Sequence, residues 1–129
     1  FEYLWLRHKG GAFNTEFSNA IGSVAYQVAC HQRVQKIGLK TRDILALVAD
    51  SDIVAYERCS GHDGTYAVKS ETRAKSVKIA RPTVKKVDAQ APDHLISDCP
   101  MAGAQIADLA ESVDTALHPM TLLRMAYGF

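Results

Sequence analysis

IVAYERCSGHDGTY, residues 53–66, decides how the rest of the chain is read. Ile53, Val54, Ala55 and Tyr56 form a short apolar run of β-branched and aromatic residues, the composition of a buried strand. Gly61 and Gly64 break that run just after Cys59. A strand therefore ends where a thiol begins. From Thr65 the sequence reads as helix, which places Cys59 in a strand-to-helix elbow. Backbone N–H groups and a helix dipole there would favour thiolate over thiol.

Outward from this elbow, the arrangement repeats. Ser23–Ala29, SVAYQVA, suits a strand and runs into Cys30 and His31. His94–Ser97 makes a third short strand ending at Asp98 and Cys99, and Pro100 then opens a helix, the position where its fixed φ is pre-organised. Three strand-cysteine-helix units joined through helices call for parallel strands with right-handed crossovers. The expected fold is an α/β, three-layer, Rossmann-like domain with a parallel sheet of three to four strands and helices on both faces. All strand carboxyl ends then share one edge, the edge at which ligands bind in open α/β sheets, so three thiols far apart in sequence converge.

The remaining segments fill in the layers. Phe1–Lys9 reads as an amphipathic helix stopped by Gly10 and Gly11, with Trp5 as a core anchor. Thr41 is positioned to cap a helix beginning at Arg42. Thr65–Lys86 is a helical stretch rich in Lys and Arg, which Pro82 is expected to break or kink near Arg81. Its basic run suits a solvated face, an acidic partner or a phosphate. Thr115–Leu117 is a fourth strand, and Pro119 opens a terminal helix carrying Met120 and Leu123.

Composition sets the limits. The chain has 129 residues, 47% of them hydrophobic and 22% charged, which makes one globular domain spanning residues 1–129. The formal charge of +1 gives no global case for nucleic acid. No apolar run approaches the roughly 18 residues needed to cross a bilayer. Three cysteines, an odd number, argue against a closed disulfide framework and for a reducing compartment. The expected location is cytoplasmic, with at most peripheral attachment at the inner membrane. Because the chain begins with Phe1, it is expected to be the C-terminal part of something longer.

Four motifs, ACHQRVQKIG around Cys30, ERCSGHDGTY around Cys59, SDCPMAG around Cys99 and the closing HPMTLLRMAYG, resemble one known family. It is the cysteine-rich (CCG) domain of iron–sulfur oxidoreductases such as heterodisulfide reductase and anaerobic glycerol-3-phosphate dehydrogenase. The resemblance covers nearly the whole chain, and CSGHDGTY is its most specific part. It implies a domain that ligates an iron–sulfur cluster and passes electrons between a flavin or thiol partner and a quinone or disulfide acceptor. Partners of that kind are flavoproteins and ferredoxin-type cluster domains. The sequence departs from the family pattern at Ser60 and Ala102, where the family has further cysteines. A five-cysteine non-cubane cluster is thereby in doubt, whereas three thiols and a fourth ligand suffice for a [4Fe–4S] cubane.

The candidate ligands are Cys30, Cys59 and Cys99, with His62 or His31 as a fourth. Gly61 and Gly64 are candidates for close backbone approach to the cofactor, for a phosphate cradle or for a plain tight turn. Asp63 reads as a turn or capping residue, and Asp98 as a hydrogen-bond acceptor behind Cys99 or a solvated carboxylate. Two other chemistries stay open on these residues. One is a zinc-stapled Cys₃His interaction module; the other is a metal-free thiol site working by disulfide exchange or peroxide sensing.

Overall fold

The structure, a computed structural model describing residues Phe1–Phe129, is built around the strand that SVAYQVA foretells. Strand β1 (Gly22–Gln27) lies in the interior of a four-stranded sheet, flanked by β2 (Ser51–Tyr56) on one side and β3 (His94–Ser97) on the other. A two-residue strand, β4 (Ala116–Leu117), pairs outside β3. The order is β2-β1-β3-β4 and every pairing is parallel. β1 is fully buried from Val24 to Gln27 because it is covered on both faces, as a central parallel strand must be.

Alternation along β1 divides the core. Val24 and Tyr26 face one layer, with Ile44 and Leu45 of α3 (Lys40–Leu45) and Leu122, Leu123 and Ala126 of α6 (Pro119–Ala126). Phe1, Leu4 and Trp5, at and within α1 (Glu2–Lys9), pack on the same cluster, so Trp5 anchors as expected. Ala25 faces the other layer, with Ala80, Val84 and Val87 of α4 (Ser70–Gln90) and Ile106 and Ala107 of α5 (Pro100–Ala107). Helices thus cover both faces, and the three-layer expectation holds.

Three local expectations need correction. The helix after the elbow does not begin at Thr65: residues 65–69 are turns and α4 starts at Ser70, with Lys69 still extended at φ −76° and ψ 131°. Nor does α4 break at Pro82, since it runs unbroken to Gln90 and ends at Ala91 in the left-handed region. The apolar stripe Ala80–Val84–Val87, buried against β1 and α5, carries the helix through a position where proline removes one hydrogen bond. Thr41 is not a cap either. The helix starts one residue before it, and Thr41 is buried with its hydroxyl turned to Asp98.

Candidate metal centre

β1 runs into Cys30 at the start of α2 (Cys30–Val34), β2 into Cys59 and β3 into Cys99, which directly precedes α5. Because the strands are parallel, all three positions fall at the carboxyl edge of the sheet. β2 and β3 flank β1, so their tips are immediate neighbours. Cys30, Cys59 and Cys99 accordingly line a single cavity of about 530 Å³. His31, His62, Gly61 and Gly64 line it too, and Tyr66, Ile79 and Ala102 supply apolar wall. All three cysteines are free.

A buried amide holds the three tips in register. Gln27, at the end of β1, is 0% exposed. Its Nε2 donates to the carbonyls of Val28, on the way to Cys30, and Arg58, just before Cys59, at 2.8 and 3.1 Å. Its Oε1 accepts from Ser97 Oγ at 2.7 Å, and that same Oγ accepts from the Cys99 N–H at 3.1 Å. One side chain therefore touches, directly or through one hydroxyl, the backbone beside every thiol. Burial in low dielectric makes leaving any of these groups unpaired costly.

A second network works from the opposite face. The Tyr26 phenol donates to Asp98 Oδ2 at 2.6 Å and lies 2.7 Å from the Gln32 side chain on α2. Thr41 Oγ1 donates to both Asp98 oxygens at 3.0 and 3.1 Å. Asp98, expected as an acceptor near Cys99 or as a solvated carboxylate, thus ties the Cys99 segment to the helix that bears Cys30. Burial, and then the Asp98 carboxylate, push the Tyr26 hydroxyl well above the ordinary tyrosine range, so it stays a donor.

The Cys59 loop rests on α4. Thr83 Oγ1 donates to the Cys59 carbonyl at 3.0 Å and Ser76 Oγ to the Gly61 carbonyl at 2.6 Å, while Gln105 of α5 donates to Ser76 Oγ at 2.9 Å. Gly61 has φ +78°, and a Cβ there would collide with the Ser76 carbonyl oxygen. The close approach this glycine permits is to the α4 backbone. Its N–H donates to Cys59 Sγ at 3.3 Å, a contact from a loop amide and not from the start of a helix, which comes only at Ser70. Gly64 has φ +56°, and a methyl added there would find nothing within 4 Å, so its turn alone asks for glycine.

Burial, and next the neighbouring Cys59, push the Cys30 thiol up, with Arg33 opposing them.

Sequence reasoning misses Gln27, Ser97, Ser76, Thr83 and Gln105 as site residues. Gln27 does leave a signal, as an amide in an otherwise apolar strand. The two hydroxyls on α4 and Gln105 leave none, because only the folded packing brings them under the loop.

A match to a family model for the cysteine-rich domain, CCG, spans residues 24–107. That is well over half of the chain, from the second half of β1 through α5, and it contains all three cysteines. The chain belongs to the cysteine-rich (CCG) domain family. Domains of this family are typical of iron–sulfur oxidoreductase subunits. No curated protein and no solved structure matches the chain.

For this CCG domain the donor set can be tested against the group it implies. Ser60 and Ala102, the positions where the resemblance places further thiols, both line the cysteine cavity. They bring a hydroxyl and a methyl to it, and Ser60 Oγ is already engaged by the His62 N–H at 3.4 Å. The domain offers three sulfurs, which does not fit a five-thiolate cluster. Three thiolates and an open fourth position fit a cubane. No group of three or more His, Cys, Asp or Glu side chains stands together as an ion site.

Proposed function

We propose that Cys30, Cys59 and Cys99 ligate a [4Fe–4S] cluster and that the domain is the electron-transfer part of an oxidoreductase. The observation that carries this reading is the convergence of three thiols, each at the tip of a different parallel strand, on one cavity. When bound, such a cluster supplies one-electron transfer at a potential set by charge, hydrogen bonds to sulfur and exposure.

The chain's own contribution is positional and electrostatic. Gln27 and the Tyr26–Asp98–Thr41 network fix the three tips. The Gly61 N–H, aimed at Cys59 Sγ, stabilises negative charge on that sulfur and raises the potential. His62 and His31 border the cavity, either able to serve as a fourth ligand. Substrate oxidation belongs to another domain or subunit, with a flavin or thiol donor on one side and a quinone or disulfide acceptor on the other.

Anaerobic reconstitution with iron and sulfide tests the reading. The expected product binds both and shows a broad absorbance near roughly 400 nm, which Cys59→Ala abolishes. Zinc in stoichiometric amount without sulfide would instead establish the stapled module. A colourless, iron-free protein that forms a Cys30–Cys59 crosslink on mild oxidation would establish the thiol reading.

A further inference from the structure

Helix α4 is unusually lopsided. It carries Arg73, Lys75, Lys78, Arg81, Lys85 and Lys86 against Glu71 and Asp88, while the whole chain has a formal charge of only +1. The remainder of the molecule is therefore net acidic, and positive charge is concentrated on this one element. Of its six cations only Arg73 has a carboxylate partner, Asp108 at 2.6 Å. Lys86 lies over the Tyr56 ring at 5.8 Å, and the other four form neither an ion pair nor a ring contact.

The placement of these cations matters more than their number. Ile79 is 46% exposed and lines the cavity of the three cysteines. Lys75, Pro82 and Lys86 stand at −4, +3 and +7 from it, the spacing that puts residues on one helical face, and Lys78 adjoins them. Met101 is 53% and Val68 71% exposed, and both line a groove that shares His62 with the cysteine cavity. Single exposed apolar residues about the cysteine cavity, with lysines lacking a carboxylate partner along one side, have the layout of a polar-rimmed protein docking surface.

We propose that this α4 face docks an acidic electron-transfer protein, seated so that its redox group meets the cysteine cavity. The proposal rests on the iron–sulfur reading above and names the chemistry of the partner. A compact acidic patch fits better than an extended polyanion. At physiological salt, charges farther apart than about 8 Å are screened, so the lysine row acts at short range, while the net acidic remainder opposes a membrane or a nucleic acid spread over the whole surface. The apolar residues at the mouth are also single and scattered, not the continuous Leu and aromatic face of a membrane-surface helix.

The test uses an acidic flavodoxin as probe, with Lys75→Glu/Lys78→Glu as the reversed variant and Arg7→Glu/Lys9→Glu on α1, across the sheet, as the control of equal charge change. Both α4 lysines are exposed and Glu is a good helix former, and Lys75→Gln/Lys78→Gln provides a milder second variant. Binding is titrated on reconstituted and on metal-free protein, and transfer is followed by stopped flow from the photoreduced reconstituted protein. The expected result is a loss of about tenfold in affinity and in second-order rate for the Glu pair, a smaller loss for the Gln pair, and a steep fall with salt. The α1 control keeps wild-type values. Unchanged binding in the Glu pair overturns the proposal. So does a wild-type protein that ignores flavodoxin and instead sediments with phosphatidylglycerol vesicles. If the metal-free protein binds flavodoxin in this charge-dependent way but takes up no iron and sulfide, the docking face stands and the cluster reading falls. If the reconstituted, coloured protein does not bind, the docking face falls and the cluster reading stands.

Discussion

Cys30 shows how far a single thiol is governed by its neighbours. Its pKa is raised first by burial and then by Cys59, so alkylation of the metal-free protein by iodoacetamide should titrate above the usual value of about 8.5. Cys59→Ser removes the second cause and should bring the midpoint down, a shift readable by mass spectrometry across a pH series. Gly61 and Gly64 look alike in the sequence yet should respond differently. Gly61→Ala drives a methyl into the Ser76 carbonyl and displaces the loop that carries Cys59, costing about 2–4 kcal/mol in urea unfolding. Gly64→Ala meets only the conformational penalty of a positive φ, about 1 kcal/mol. Both glycines are legible as turn residues. What separates them, the backbone of α4 lying against one and open space beside the other, is not, because it depends on a helix that starts only at Ser70 and folds back beneath the loop.

At the scale of elements, the three strand-cysteine units can be read because period and punctuation agree: β-branched runs end at Gly, Cys or Pro. Helix boundaries are less legible where tertiary burial overrules local preference. Pro82 is the clearest case, held within α4 by the stripe Ala80–Val84–Val87. Pro82→Ala, at an exposed position, restores a hydrogen bond to Lys78 and relieves the ring clash, and should stabilise the protein by about 1–3 kcal/mol in urea unfolding. The end of β1 makes the opposite kind of demand. Gln27→Leu keeps the size but strips the Val28 and Arg58 carbonyls and the Ser97 hydroxyl of their shared partner. On the order of 2 kcal/mol or more of stability should be lost. Iron and sulfide uptake should fall more sharply than in a core variant destabilised by a similar amount, such as Ile106→Ala, because the tips it holds would no longer be aligned.

For the molecule as a whole, the buried Tyr26 sets an alkaline limit. Its folded-state pKa is raised, so the protonated phenol stabilises the fold fully below the unfolded value of about 10, and that contribution is lost as pH rises through and beyond it. Urea midpoints measured from about pH 8 to 11 should be level at first and then decline, and Tyr26→Phe should flatten the decline at some cost in stability at the lower end of that range. The sheet order β2-β1-β3-β4 also has a bearing on how the protein is made. β1 and β2 leave the ribosome before α4 and can pair at once, but the strand that flanks β1 on its other side comes from residues 94–97, after the whole of α4. Until that late strand slots in, two sulfurs are present and the third is still being synthesised. On the iron–sulfur reading, metal can be delivered only once Cys99 has been made, and a nascent chain stalled before Asp98 should emerge colourless however much iron and sulfide surrounds it.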